Sequence, residues 1–337
     1  MADDLSPSEI IDKIKKTNLT GRGGAGYPTG SKWEQMFSKE HQKMYMIVNG
    51  SEGEPGTRKD GYILKNHLDE LINGIRITYK IFSNSIKIYI YLRKDYFEEY
   101  HQLIEQKTKD LPVVVFKEPG GYLCGENTVL INSIEGKRFE PRRKPPYCSE
   151  VGLWGLPTLV NNLETYYRIS QIVKDNYEDK RFYSISGEAS HPGVYDLSND
   201  ITIGELLKKT KNEMNNNYFI LIGGGAGGEY FTKEEIDKQS ANLGTGAIII
   251  YDSKKISLID LIVEKLTFLL VENCGKCTPC REGVYRLKEL VDSEKIEESE
   301  AVEVIYTMLE SSFCGLGTGA GESFTSLWEK KDKIWKK

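Results

Sequence analysis

Four of the six cysteines carry the most specific chemistry in this 337-residue sequence. Cys274, Cys277 and Cys280 stand as C-x2-C-x2-C in ENCGKCTPCREG, and Cys314 follows in SSFCGLG. Three thiolates at this spacing can wrap three corners of an iron–sulfur cubane, and a distant fourth closes it, as at ferredoxin-type [4Fe–4S] sites. Structural zinc prefers two separated cysteine pairs or mixed Cys/His sets, and no histidine lies nearby, so zinc and inert thiols are the alternatives. Gly275 and Pro279 are expected to keep the segment out of regular helix, which leaves backbone N–H groups for the cluster sulfurs. Cys124 and Cys148 are each isolated among apolar or aromatic neighbours, as structural thiols are.

A second group of residues could hold a ligand. Residues 21–33 read GRGGAGYPTGSKW, and the first six fit G-x-G-x-x-G. A Rossmann loop with that pattern follows a strand and opens a helix, because the two together hold a pyrophosphate. Here a helix pattern runs straight into the glycines: Ser6 and Glu9 form a capping box, Pro7 takes the first helical position, and Ile10, Ile11 and Ile14 mark one apolar face. Pro28 and Gly30 are expected to interrupt the next turn. The context excludes a Rossmann loop. NGSEGEPGT (49–57) sets Glu52 and Glu54 among glycines, GGYLCGEN (120–127) puts Glu126 at a helix start, and VNNLET (160–165) holds the adjacent amides Asn161 and Asn162. These are either three polar turns or one pocket, in which glycines admit a flat ligand, amides meet a heterocycle edge and carboxylates meet ribose hydroxyls. EGKRFEPRRKPPY (135–147) is either a solvated surface segment or a stiff clamp for an anionic or adenine-bearing ligand.

The elements that must position these residues alternate. MYMIVN (44–49), SIKIYIYL (85–92) and LPVVVF (111–116) read as strands, with a helix in DELINGIRITYKIF and another after the glycine turn at 120, which implies an α/β layer through about residue 175. From about 181 to 252, the short strands FYSIS, GVYDL, YFILI and AIIIY surround one helix, TIGELLKKTK. GGGAGG (223–228) repeats the glycine pattern there, but a helix start is missing and a tight turn is expected. From Ser257 the pattern is helical, with the four clustered cysteines at helix junctions. A net charge of −5 without a basic run argues against nucleic acid or an anionic membrane as partner. No apolar run approaches the roughly 20 residues of a membrane helix, and MADDLSPSE lacks an apolar signal segment, so a cytoplasmic protein is expected.

Taken in order, GRGGAGYPTGSKW, NGSEGEPGT, GGYLCGENTVLINSIEGKR, RRKPPY, GLPTLVNNLET, SGEASHPGVY, ENCGKCTPCREG and SFCGLG resemble the flavoprotein subunit of respiratory complex I. The flavin subunits of NAD-linked hydrogenases and formate dehydrogenases share the module. The resemblance covers nearly the whole chain. It implies a non-Rossmann α/β domain binding FMN and NAD(H) (1–178), a β-grasp module of the soluble-ligand-binding (SLBB) type (179–252), and a helical [4Fe–4S] bundle (257–337). NADH would give hydride to FMN, and single electrons would leave through the cluster. The implied FMN contacts are Gly21, Gly23, Gly24, Lys32, Asn49, Glu52, Tyr122, Gly125, Glu126, Asn161 and Asn162. The implied nicotinamide-nucleotide contacts are Gly24, Tyr27, Glu54, Lys144 and Tyr147. Cys274, Cys277, Cys280 and Cys314 would ligate the cluster. The implied partners are a thioredoxin-like [2Fe–2S] subunit and a larger iron–sulfur or catalytic subunit.

The sequence departs from the family pattern in this pocket. Ser51 stands where an aspartate is usual, Asn127 where a second glutamate follows Glu126, and Gln35 where an aromatic would stack on adenine. Tyr27 and Tyr147 replace phenylalanines and keep their stacking faces. Loss of one stacking platform, worth about 1–3 kcal/mol, implies NADH binding weaker by about tenfold or more, and fewer carboxylates would ease entry of NADPH. Two functional readings follow: an electron-input subunit oxidising NADH or NADPH, or a flavin and cluster relay that no longer binds the nucleotide.

Overall fold

A computed structural model of the chain describes residues 5–38, 43–213, 217–293 and 298–335. The chain divides into two compact units: Met1–Gly53 with Arg58–Arg181, and Glu54–Thr57 with Phe182–Lys337.

The first unit is built on a parallel sheet. Its strands are β1 (Met44–Gly50), β2 (Ser85–Leu92), β3 (Val113–Lys117) and β4 (Thr158–Asn162), in the spatial order β3-β2-β1-β4. Met46, Ile47 and Val48 of β1 and Ile88–Leu92 of β2 are buried in unbroken runs, as strands covered on both faces must be. Around the sheet lie α1 (Pro7–Lys16), α2 (Thr29–Phe37), α3 (Lys59–Asn66), α4 (Leu68–Ile81), α5 (Lys94–Lys107), α6 (Asn127–Ile134) and α7 (Leu163–Val173). The capping box of α1 forms as expected, with Ser6 and Glu9 each accepting from the other's backbone N–H. Helices α4 and α7 approach so closely that a Cβ on Gly74 would lie 1.9 Å from the Tyr166 carbonyl oxygen.

One connection decides where a ligand belongs. From β1 the chain steps outward to β2 and β3, then returns to place β4 on the other side of β1. The gap between β1 and β4 is thus a topological switch point, where connections leave in opposite directions and open a crevice beyond the carboxyl ends. The register sets Asn49 opposite Asn162 and Val48 opposite Asn161 there.

The second unit holds a mixed sheet of β5 (Lys180–Gly187), β6 (Gly193–Ser198), β7 (Tyr218–Ile222), β8 (Glu229–Thr232) and β9 (Ala247–Asp252), ordered β6-β5-β9-β7-β8. β5 runs parallel to β9, while β7 is antiparallel to both β8 and β9. With α8 (Ile203–Lys209), it encloses a core that includes Tyr183, Ile203, Leu206, Ile220 and Ile250. Four helices follow: α9 (Leu258–Glu272), α10 (Thr278–Asp292), α11 (Glu298–Ser311) and α12 (Gly315–Ile334). The mixed α/β architecture and helical C-terminal part are as expected. Among the described residues, no helix is long and apolar enough to cross a membrane.

Several local expectations are corrected. Pro28 does not break the turn after the first glycine loop: it precedes α2, and Gly30 lies inside that helix where a Cβ would come within 2.5 Å of Lys15. The loop therefore does open a helix, but the element before it is α1, so a Rossmann loop stays excluded. Pro279 sits in the first turn of α10, where its missing N–H has no intrahelical role. Helices α3 and α5 had no counterpart in the sequence reading, and the amides expected in a turn end strand β4.

Candidate functional site

In the first unit, the carboxyl ends of β1 and β4 gather most of the flavin-side residues. Asn162 Nδ2 donates to the Asn49 carbonyl (3.2 Å), and Asn49 Nδ2 donates to that of Gly125 (2.9 Å). Gly23 lies against Asn162, with a would-be Cβ 3.5 Å from the asparagine Cβ. Close approaches close the wall: a Cβ on Gly53 would stand 3.0 Å from Tyr122 Cα, and one on Gly125 3.0 Å from the Ser51 carbonyl oxygen. The glycine loop folds back on itself as Gly21 N–H donates to the Tyr27 carbonyl (2.9 Å), with Gly24 at φ 111°. Lys32, from α2, donates to the Val160 carbonyl and to Asn161 Oδ1 (3.3 Å). Burial lowers the Lys32 ammonium to about 8, with only Cys148 opposing the shift.

These groups suit an anionic, hydrogen-bonding ligand. Asn161 Nδ2 is buried without a hydrogen-bond acceptor, although the Tyr166 phenol, which donates to the Ile47 carbonyl (3.3 Å), lies beside it. That donor and the adjacent Lys32 ammonium are what a flavin's acceptor edge and phosphate require, so the residues present fit FMN. Glu126 caps α6 by accepting from Thr128 N–H (2.8 Å) and Val129 N–H (3.0 Å), and its other oxygen takes Lys144 Nζ (2.8 Å). Tyr27 and Tyr147 present rings that are 51% and 57% exposed, open to a stacking partner.

Beneath the crevice runs a buried ionic network that the sequence reading missed. Glu164, fully buried in α7, faces Lys59 (3.6 Å), Arg168 (3.5 Å) and Arg22 (4.0 Å). Burial alone would raise its carboxyl, but Lys59, Arg168, Arg22 and Arg181 hold it below the ordinary value. Lys59 Nζ also donates to Asp60 (2.7 Å) and Asn162 Oδ1 (2.8 Å), so the network reaches the pocket amide directly. Arg22 is the signal that could have been read: a lone arginine amid glycines anchors that loop by its N–H to Thr165 (3.2 Å) and its side chain to the Lys180 carbonyl (3.2 Å). Glu52 turns under the loop and accepts from Asp60 N–H (3.0 Å), Gly61 N–H (3.4 Å) and the Tyr96 hydroxyl (2.7 Å). Burial and the Asp60 charge raise it well above the usual carboxylate range.

In the second unit, the cysteines gather at helix starts. Cys277 immediately precedes α10, Cys280 lies in its first turn, and Cys314 immediately precedes α12. Cys274 lies in the short link from α9. Positive helix ends favour the negative charge of thiolates and their cluster. As a free thiol, Cys280 is pushed up to about 12, first by burial and then by Cys277, Cys314 and Cys274. Among the described residues, no three potential ligands converge as they would on a single ion. Four thiols brought to helix starts are the donor set that a [4Fe–4S] cluster takes. Glu54 also belongs to this unit: its Oε1 accepts Ala226 N–H (2.8 Å) from the 223–228 turn.

Residues 14–171 match the family model described as the Nuo51 FMN-binding domain, and residues 260–333 that of the NADH-ubiquinone oxidoreductase-F iron-sulfur binding region. The F subunit of the NADH-quinone oxidoreductase of Aquifex aeolicus is 36% identical, aligned over 99% of this chain and 86% of its own length. Its Escherichia coli counterpart is 32% identical, over 96% and 82%. The chain belongs to this family of oxidoreductase flavoproteins. A solved chain of a NAD+-reducing [NiFe]-hydrogenase superposes with a TM-score of 0.86 at 26% identity, over 96% of this chain. This chain spans 61% of that hydrogenase chain's length.

Within that family, the three departures acquire geometry. Ser51 lacks a carboxylate, but its hydroxyl donates to Glu118, just beyond β3, so an acid group still stands beside the loop. Glu118 is 5% exposed and raised by burial. Gln35 Nε2 donates to the Tyr27 hydroxyl (3.3 Å), engaging that ring's polar tip in place of an aromatic platform. Asn127 is the first residue of α6, directly after the capping Glu126.

Proposed function

We propose that this chain is the nucleotide-oxidising, electron-input subunit of a redox complex, taking hydride from NADH through FMN and passing single electrons through its [4Fe–4S] cluster. The observation that carries this reading is the pairing, in one chain of this family, of a donor-lined crevice at the β1/β4 switch point with four cysteines at helix starts. FMN, when bound, supplies the step between a two-electron hydride donor and one-electron iron–sulfur carriers. The chain's own groups bind and orient. Gly21, Gly23 and Gly24 admit the cofactor closely, Lys32 meets its anionic part, and Asn49, Asn161 and Asn162 fix its heterocycle edge. Tyr122, Gly125 and Glu126 shape the opposite wall, and Glu52 supports the loop from beneath. Gly24, Tyr27, Lys144, Tyr147 and Glu54 are assigned to the nicotinamide nucleotide, and a general acid or base is not required for hydride transfer.

The finer organisation belongs to the same reading: domains at 1–178, 179–252 and 257–337, the middle one a β-grasp module of the SLBB type. The β5–β9 sheet with α8 packed into its core supports it. Tyr285 on α10 and Phe313 beside Cys314 are more than half exposed, as is Tyr306 on the intervening α11, which suits a docking partner there. A thioredoxin-like [2Fe–2S] subunit and a larger iron–sulfur or catalytic subunit are the proposed partners, in a cytoplasmic or membrane-peripheral complex.

The test is anaerobic purification with flavin and iron quantified, followed by NADH or NADPH in separate arms. Rapid bleaching of the flavin band by NADH is expected. Bound FMN that neither nucleotide bleaches would overturn the proposal and leave a relay subunit.

A further inference from the structure

The second glycine-rich turn, 223–228, is left without a role by the reading above, and beneath it lies a lysine that nothing so far uses. Lys265, on α9, is 5% exposed. Its ammonium donates to the Gly225 carbonyl (3.0 Å) and to Ser323 Oγ of α12 (2.5 Å), and sits over the rings of Tyr230 (5.5 Å) and Phe324 (5.8 Å). On the other side, the same turn grips the acidic loop. Ala226 N–H donates to Glu54 Oε1, and Gly225 N–H donates to the Pro55 carbonyl (3.0 Å). The glycines are required by this grip: a Cβ on Gly224 would stand 2.2 Å from Glu54 Oε1, and one on Gly225 2.6 Å from Pro55 Cβ. A Cβ on Gly227 would meet Gly319 of α12 at 3.2 Å.

We infer that Lys265 is a positioning residue for Glu54, holding the 223–228 turn so that this carboxylate is fixed for the nicotinamide nucleotide. The inference rests on the nucleotide-oxidising function proposed above. The charge on Lys265 matters, because a charged donor holds a carbonyl about twice as strongly as a neutral one. Burial lowers Lys265 to about 7, opposed by Glu54 and Glu264. The titratable groups facing it are those two carboxylates and the Tyr230 phenol, which burial raises well above its ordinary value and keeps neutral. Below neutrality the ammonium is charged, holds Gly225 firmly and attracts Glu54. Above neutrality both effects fade. Nucleotide affinity is therefore set in part by the protonation of a side chain on the far side of the turn.

The experiment compares wild type with Lys265→Gln and Lys265→Met as whole, cofactor-loaded chains, following NADH-dependent reduction of an artificial acceptor across pH. Gln keeps a neutral donor and Met removes it, and neither leaves a buried charge, so at least one is expected to fold with full FMN and iron content. At about pH 6 the KM for NADH should rise roughly five- to tenfold in both variants with kcat unchanged, as loss of one charge-assisted bond predicts. At about pH 8.5 the Lys265→Gln and wild-type KM values should converge, because the wild-type lysine is then itself neutral. A variant-to-wild-type KM ratio that stays constant across this range, or a kcat that falls as much as kcat/KM, would overturn the assignment. A wild-type flavin that NADH fails to reduce would instead overturn the underlying function.

Discussion

Lys32 shows how one side chain can tie cofactor affinity to pH. Its ammonium is lowered to about 8 by burial, and an anionic ligand placed against it would restore the charged form. Binding FMN above that value must therefore take up a proton, while below it the lysine is already charged. The expected result is an FMN affinity that is flat near pH 7 and falls by up to about tenfold per unit well above pH 8. Lys32→Met should weaken FMN binding by about tenfold or more and remove this pH dependence. Quenching of flavin fluorescence, as the apoprotein is titrated at each pH, measures both. Lys32 was legible in the sequence as a lysine beside a glycine loop; its lowered pKa was not, because burial comes from the β4 residues it meets.

At the scale of elements, helix contacts govern how firmly the crevice is held. Helix α7 carries Glu164 and follows directly from the amide pair at the end of β4, so its seat on α4 fixes both. That seat depends on Gly74, where a Cβ would lie 1.9 Å from the Tyr166 carbonyl oxygen. Gly74→Ala has the better helix propensity by about 1 kcal/mol, yet the clash must push the helices apart. A net destabilisation of about 1–3 kcal/mol is expected in denaturant unfolding, with weakened FMN retention following from the shifted α7. An unchanged midpoint would mean the two helices are not in contact at this glycine. Strand β4 was read as a polar turn, whereas β1, β2 and β3 were readable as apolar runs and α1 from its capping box. Helices α3 and α5 were not, because their charged and aromatic residues face a core that only the assembled sheet defines.

Across the whole molecule, cofactor chemistry is divided between the two units. The flavin-side residues lie in the first and the four cysteines in the second. Cys314→Ser removes one thiolate from the set that crowds Cys280, and an incomplete set cannot hold a cubane. Iron per chain should fall to near zero while FMN content is retained, and NADH should still bleach the flavin although electrons no longer leave through the cluster. Parallel iron and flavin assays with anaerobic spectra check this. Loss of flavin together with iron would show that the flavin-side fold depends on the cluster.

The sequence by itself determined the candidate ligand sets. Cysteine spacing points to a cluster, because three thiols at C-x2-C-x2-C with a distant fourth match the corners of a cubane. The glycine and amide stretches could be listed, since backbone permissiveness and side-chain donors are local properties. Only the tertiary structure decided which stretches meet: parallel strand order puts Asn49 beside Asn162 and makes the β1/β4 gap the crevice. It also decided that Arg22, Lys59 and Glu164 are one buried network, and that the second glycine turn clamps Glu54 above Lys265. Charge pairing and burial are set by residues far apart in the chain, so no local pattern can announce them.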